Sequence, residues 1–267
     1  MKVRPIFDPE KKKRSMRVAA FMSGKGTNIR KLIEYQKELE KKEGKAPYEV
    51  VFIFSDRSDG TCMGEKIAYE NAILYFSYDI REFYRRHGFK YPTVRTKEGL
   101  SLRKKFDEVP KKLLNAFEID IVALGGYMSY TTIKRCINVH PADLRIKDKD
   151  GKRKYVGANA IRDAILSGEK YLRSCTILTD EGIDTGPILM VSKPISVNLP
   201  DDLENLKKDL NLLKEVVEEH QERLKKEGDW KIFPKTIEYI ARGRFGIDEE
   251  GRIYFDEKPI PEGYITD

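Results

Sequence analysis

MRVAAFMSGKGTN, residues 16–28, is the stretch whose reading decides the fold. Met16 to Ser23 is an apolar run, long enough for a buried strand. Gly24-Lys25-Gly26-Thr27-Asn28 ends it with a loop that carries helix-start chemistry. Residues 28–43 then place Ile29, Leu32, Ile33, Tyr35 and Leu39 at roughly helical spacing, and Gly44 is a natural stop. Working outward, Tyr48 to Ser55 (YEVVFIFS) reads as a second buried strand. A helix follows over about 62–71, then a short strand over 73–77 (ILYFS). Alternating strands and helices predict an α/β fold with a mostly parallel, Rossmann-like sheet flanked by helices.

The rest of the chain extends that pattern. Residues 79–118 hold two charged helical stretches separated by a segment with Gly88, Pro92 and Gly99; Pro110 is expected to start or kink the second. Ile119 to Leu124 is a buried strand ending in Gly125-Gly126, and Cys136 to Val139 is a very short one. Arg145 to Lys154 is dense in Lys, Arg and Asp and reads as an exposed loop. A helix over 159–167 ends at Gly168. Ser174–Leu178 and Ile188–Val197 form a strand pair, with a turn at residues 184–187. After Pro200 one long helix is expected to about Lys226. A shorter one covers about 234–242, and FGIDEEGRIYFDEKPI (245–260) reads as a short β-hairpin. The expected organisation is a charged leader over 1–15, mobile or lying across the surface, a main domain over 16–200, and a C-terminal helical extension and hairpin over 201–267 packed on it.

Composition narrows the class. Of 267 residues, 40% are hydrophobic and 36% charged, which allows a real core and excludes disorder along the whole chain. No apolar run approaches the ~20 residues of a membrane span. The start, MKVRPIFDPEKKKRSM, has no apolar segment of a secretory signal. Cys62, Cys136 and Cys175 are far apart and form no CxxC pair, so neither a disulfide framework nor a zinc site is expected, and a cytoplasmic location fits. The net charge of +7 admits an anionic partner without choosing one. Lys and Glu abound while Gln36 and Gln221 are the only glutamines, a bias shared with heat-adapted proteins.

Three stretches could carry chemistry. In Ser23–Asn28, glycines let the backbone approach an anion and the following helix offers its N–H groups. The alternative is a tight strand-to-helix turn with Thr27 as N-cap. In Asn138-Val139-His140-Pro141, alternation puts Asn138 and His140 on one face at the carboxyl end of a strand. The alternative is a buried histidine satisfied by a backbone carbonyl. Thr179–Pro187 (TDEGIDTGP) is a shaped acidic loop, or an ordinary turn.

Taken together, these segments resemble the folate-dependent formyltransferase family. The resemblance runs in order through SGKGTN, FSD, DIVALGGYM, INVHPADL and TDEGIDTGPIL, covering roughly residues 16–197, with the Asn-Xaa-His-Pro segment and the Asp-Xaa-Gly-Pro turn as its most diagnostic parts. It implies the formyltransferase fold and a catalytic domain over 16–200. It also implies 10-formyltetrahydrofolate as co-substrate, with no metal. The expected reaction is formyl transfer to the primary amine of glycinamide ribonucleotide in purine synthesis.

By the same resemblance Asn138, His140 and Asp184 are catalytic. Lys25, Gly26, Thr27 and Asn28 hold a substrate phosphate. Gly126, Tyr127, Met128 and the backbone of about 178–184, including Asp180 and Gly182, line the folate pocket. Glu222, in HQERL, is the candidate ribose-binding glutamate; the alternative is a solvated helix face, since KKEGDWK reads as an insertion before Pro234. The chemistry suits these groups. Asn138 can donate to a tetrahedral oxyanion, a contact typically worth ~3–4 kcal/mol. A protonated His140 would add charge, favoured by Asp184, and the carboxylate can hold a water that carries protons.

The chain departs from the family pattern at Ile177, which stands where a second histidine is common. It departs again at Ala142-Asp143-Leu144-Arg145, followed by a charged insertion, and in the long 79–107 segment. Related activities on methionyl-tRNA or an amino sugar are the alternatives within the family. A non-catalytic nucleotide- or nucleic-acid-binding module, suggested by KKKR (11–14), is the alternative outside it. Against nucleic acid, basic residues are interleaved with acids nearly everywhere.

Overall fold

The computed structural model of the chain describes residues 3–265, and of the two expectations for the basic leader, mobile or lying across the surface, its contacts follow the second. Residues 1 and 2 of that leader, and 266 and 267 of the tail, lie outside the described residues. Strand β1 (Arg4–Pro5) pairs antiparallel with a strand near the C terminus, Arg4 opposite Ile247. Helix α1 (Pro9–Lys12) is capped by Asp8, whose carboxylate accepts from the Lys11 N–H. Arg14 then grips the Asp120 carboxylate with both terminal nitrogens, at 2.6 and 3.2 Å. Charge in this leader is used for anchoring, which composition alone does not reveal.

By contacts the chain divides into two compact units, Phe7–Asn138 and Met1–Ile6 with Val139–Asp267. The first unit holds β2 (Met16–Met22), α2 (Thr27–Glu43), β3 (Tyr48–Ser55), α3 (Gly64–Glu70), β4 (Leu74–Ser77), α4 (Ile80–Arg86), α5 (Lys97–Ala116) and β5 (Ile121–Leu124). It also holds most of β6 (Cys136–His140). Its strands are parallel and run in the order β6-β5-β2-β3-β4, the mostly parallel sheet expected.

Period-two alternation divides the side chains of this sheet. Ala19, Phe21, Phe52, Phe54, Val122 and Leu124 share a core with Ile80, Phe83, Tyr84 and Phe106 of α4 and α5. Val18, Ala20 and Met22, alternating with the first set along β2, are also fully buried, as are Ile29 and Leu32 of α2. Helix α5 runs through Pro110, which neither starts it nor ends it. A salt bridge is buried on α5: Arg103 Nη2 meets Asp107 Oδ1 at 2.7 Å and the Tyr127 hydroxyl at 3.0 Å. Asp107 Oδ2 accepts from the N–H and hydroxyl of Thr132, which ties α5 to the chain beyond β5.

The second unit continues with α6 (Ala160–Leu166), β7 (Tyr171–Leu172), β8 (Cys175–Leu178), β9 (Ile188–Val191), β10 (Ile195–Ser196), α7 (Leu203–Lys208), α8 (Leu210–Leu224) and α9 (Trp230–Ala241). It closes with β11 (Phe245–Ile247), β12 (Ile253–Phe255), β13 (Lys258–Pro259) and β14 (Tyr264–Ile265). Strands β8 and β9 pair antiparallel, as the sequence suggests, and β14 adds to β9 in parallel. The expected strand through Val197 is interrupted after Val191, and β10 pairs with β7 instead. The tail hairpin forms, Phe245 opposite Phe255, within a four-stranded sheet that includes β1.

The single long helix expected after Pro200 is broken at Asp209. Its backbone is extended (φ −103°, ψ 95°), and it caps α8 by accepting from Asn211 and Leu212. An aspartate that offers this cap competes with helix continuation. KKEGD (225–229), part of the stretch read as an insertion, is one π-helical turn joining α8 to α9. Gly228 is required there because a Cβ would lie 2.6 Å from Ser174 Oγ. Among the described residues no helix is long and apolar enough to cross a membrane.

Candidate active site

The residues singled out in the sequence fall into two groups, one in each unit. In the first unit, the loop after β2 ends in Gly26 at φ 67°, in the left-handed region. A Cβ there would meet Met22 Cε at 2.4 Å and Ile67 Cδ1 at 2.7 Å, so only glycine fits. Gly26, not Thr27, is the N-cap, and no side chain caps α2. The start of a 17-residue helix thus keeps main-chain N–H groups for an anion, with the exposed Lys25 beside it.

Two other segments support this loop. Ser23 N donates to Gly126 O (3.1 Å), and Met128 N donates to Ser23 Oγ (3.0 Å). Met63 N donates to Gly24 O at 3.1 Å. Gly125 packs so closely on α2 that a Cβ would touch Ile29 Cδ1 at 2.3 Å. The SGKGTN and GGYM segments, distant in sequence, are therefore one structure.

Tyr127 corrects an expectation. Its ring is in the core, its hydroxyl accepts from Arg103, and burial pushes its phenol pKa upward. Its side chain does not line an open pocket; only its main chain is available. Met128 is the reverse, 70% exposed, an apolar side chain held outward.

In the second unit, His140 closes strand β6, two residues after the half-buried Asn138. Its ring is almost fully enclosed. Nε2 lies 3.1 Å from the Tyr155 carbonyl oxygen, which can only accept, so Nε2 carries a hydrogen. Nδ1 is then the lone-pair nitrogen of the neutral ring, and it faces Asp184 Oδ2 at 3.4 Å. His140 is buried on a backbone carbonyl, the alternative the sequence offered, and it also faces the acidic loop.

Burial pushes the His140 pKa below the ordinary histidine value; Asp184 and the Tyr155 carbonyl pull it up, and Arg153 lowers it further. The net direction is down. Asp184 favours the protonated ring as expected, but burial outweighs it, and the neutral ring with Nδ1 as its basic nitrogen is the favoured form.

Asp184 sits at φ 54°, a left-handed conformation uncommon for a non-glycine residue. Its Oδ2 accepts from Gly157 N at 2.8 Å, and its main-chain oxygen accepts from Arg153 Nη1. Asp180 is used inside the turn, where Oδ1 accepts from Gly182 N (2.9 Å) and Thr185 Oγ1 (2.6 Å). Ile183 of this turn is 60% exposed. Ile177, in the place where a second histidine was expected, is buried in β8. Glu222 lies on the exposed side of α8 and binds Lys225 at 2.6 Å, the solvated helix face.

Sequence reasoning missed Arg153, the Tyr155 carbonyl and the Gly157 N–H. Main-chain groups leave no mark in a sequence. Arg153 is one cation among many in a loop read as exposed, and only its position distinguishes it. Among the described residues no group of three or more His, Cys, Asp or Glu is placed to hold a metal.

Comparison with known proteins bears on this arrangement. Residues 16–217 match the family described as "Formyl transferase". Phosphoribosylglycinamide formyltransferase of Haemophilus influenzae is 23% identical over 271 residues, 94% of this chain and 99% of that protein. Methionyl-tRNA formyltransferase of Thermodesulfovibrio yellowstonii is 36% identical over 115 residues, but these are 41% of this chain and 34% of that protein. Among solved structures, a phosphoribosylglycinamide formyltransferase from Coxiella burnetii superposes with a TM-score of 0.66 at 22% identity, over 95% of this chain and all of that one. At that identity the superposition speaks to the fold, while the family match spans most of the sequence. The chain belongs to the formyl transferase family.

Proposed function

We propose that this chain transfers a formyl group from 10-formyltetrahydrofolate to the primary amine of glycinamide ribonucleotide. The observation that carries the reading is the His140–Asp184 pair: a buried neutral ring whose basic Nδ1 faces a carboxylate at 3.4 Å. The likeness to a phosphoribosylglycinamide formyltransferase over 99% of that protein's length favours this acceptor.

The chemistry asks three things of the protein. The attacking amine forms a C–N bond to the formyl carbon and becomes positively charged, while the formyl oxygen becomes an oxyanion. Asn138 can donate its amide N–H to that oxygen. Asp184, directly or through a water, and His140 Nδ1 can take a proton from the new ammonium and return it to the departing nitrogen. The bond to the carrier nitrogen then breaks, the oxyanion collapses, and protons balance without external acid. No covalent enzyme intermediate is needed.

Binding follows the same division. The uncapped start of α2, with Lys25, Gly26, Thr27 and Asn28, suits the acceptor's phosphate. The folate supplies the activated formyl carbon. In the first unit Met128, apolar and exposed, is suited to the face of a flat ring; in the second, the main chain of 178–184 is suited to hydrogen bonding with a polar edge. Glu222 has no part in this reading.

The test is an acceptor panel. Purified chain is given 10-formyltetrahydrofolate with glycinamide ribonucleotide, methionyl-tRNA or an amino sugar, and free tetrahydrofolate is measured. Turnover with glycinamide ribonucleotide at a kcat/KM at least a hundredfold above the others is expected. A preference for either other acceptor would overturn the proposal.

A further inference from the structure

The charged loop after β6 is more ordered than its composition suggests. Lys147 and Arg153 bridge antiparallel, and Lys154 N donates to Ile146 O at 3.0 Å. Asp148 Oδ1 accepts from the main-chain N–H groups of Asp150 and Lys152, both at 2.9 Å. The loop is a small closed hairpin, and from it the half-buried Arg153 reaches the main-chain oxygen of Asp184.

Two hydrogen bonds and one close approach therefore converge on Asp184. Arg153 holds its carbonyl, Gly157 N holds its carboxylate, and the same Oδ2 faces His140. A residue at φ 54° needs such a grip, because a non-glycine backbone is not at rest there. We propose that Arg153 is a positioning residue for formyl transfer: it pins Asp184 in the conformation that aims the carboxylate at His140, and it sets a fixed positive charge beside the ring. This deepens the formyl-transfer reading and rests on it for its kinetic consequence.

The charged groups acting on the ring are Asp184, from the turn after β8, and Arg153; the Tyr155 carbonyl is the polar contact on its other side. Arg153 in turn faces Asp180, Asp184 and Cys175, whose thiol burial pushes up to about 12, so that it stays uncharged. Loss of the guanidinium removes a like charge from the imidazolium and makes it easier to form. Loosening of Asp184 acts in the opposite sense. Gly157 still holds the carboxylate in such a variant, so the lost charge is expected to set the sign.

The experiment compares Arg153→Met and Arg153→Lys with the unmodified protein. In Arg153→Met, kcat is expected to fall by about ten- to a hundredfold. KM for both substrates should stay within about twofold. The acid limb of the kcat profile should move to higher pH. Arg153→Lys keeps the charge, so its limb stays in place and part of kcat returns. NMR titration of His140 without substrates gives a second reading: its midpoint rises in the Met variant and not in the Lys variant. A raised KM with unchanged kcat, or a His140 midpoint that stays or falls in Arg153→Met, overturns the proposal. Should the Met variant fail to fold, Arg153→Gln carries the same readouts. Absence of turnover by the unmodified protein with every acceptor would instead reject the formyl-transfer reading, and the titration would still decide on Arg153.

Discussion

A histidine beside a carboxylate ordinarily holds its proton more tightly, and His140 departs from that rule because its ring is buried. The consequence reaches stability as well as chemistry. A base whose folded pKa lies below its unfolded value binds fewer protons when folded. Stability contributed by the neutral ring is fully present above the unfolded pKa, about 6.5, and is lost as pH falls below it. His140→Gln, which cannot titrate, should flatten this acid-side slope. Urea unfolding of both proteins from pH 7.5 to 5 measures it: the difference in stability should shift in the variant's favour as pH falls. A parallel pair of curves would mean that His140 does not bind fewer protons in the fold.

At the scale of elements, the α5 salt bridge joins a helix to the GGYM segment and to the loop beyond β5. Arg103 and Asp107 are 1% and 0% exposed, and Thr132 and Tyr127 extend the network. Removing one partner leaves the other charge buried and uncompensated. Asp107→Ala is expected to lose about 3–5 kcal/mol, whereas replacing both residues with Leu or Met costs less, because no lone charge remains. Urea midpoints of the single and double variants check this, and a single variant within 1 kcal/mol of the parent would show the bridge to be incidental.

The α/β alternation was legible because short apolar runs alternate with stretches of helical spacing, some of them bounded by glycine, as at Gly44 and Gly125. The β2–α2 loop was legible as a strand-to-helix turn but not in its capping, since Thr27 is the better cap by residue type and the backbone places Gly26 there. The break at Asp209 and the anchoring of the leader by Arg14 were not legible. Both depend on partners that sequence spacing does not locate: the main-chain groups that Asp209 caps, and Asp120, a hundred residues from Arg14.

For the whole molecule, the proposed trio of Asn138, His140 and Asp184 was read from the order of several short segments, not from any one of them. The structure sets Asp184 against His140 as those segments imply, and adds what they could not: burial that disfavours the charged ring, a tautomer fixed by Tyr155, and an Asp184 main chain held by Arg153. Tyr127 shows the limit of reading residue types, since a tyrosine in a pocket-lining segment turned inward to an arginine.

The central claim is that His140 and Asp184 move the proton in formyl transfer. Single-turnover rates with enzyme in excess, glycinamide ribonucleotide as acceptor and pre-bound 10-formyltetrahydrofolate test it most directly. The account predicts that His140→Ala and Asp184→Asn each slow the chemical step by about 10²–10⁴-fold while folate affinity changes little. Single-turnover rates within a few-fold of the unmodified protein in either variant would contradict it.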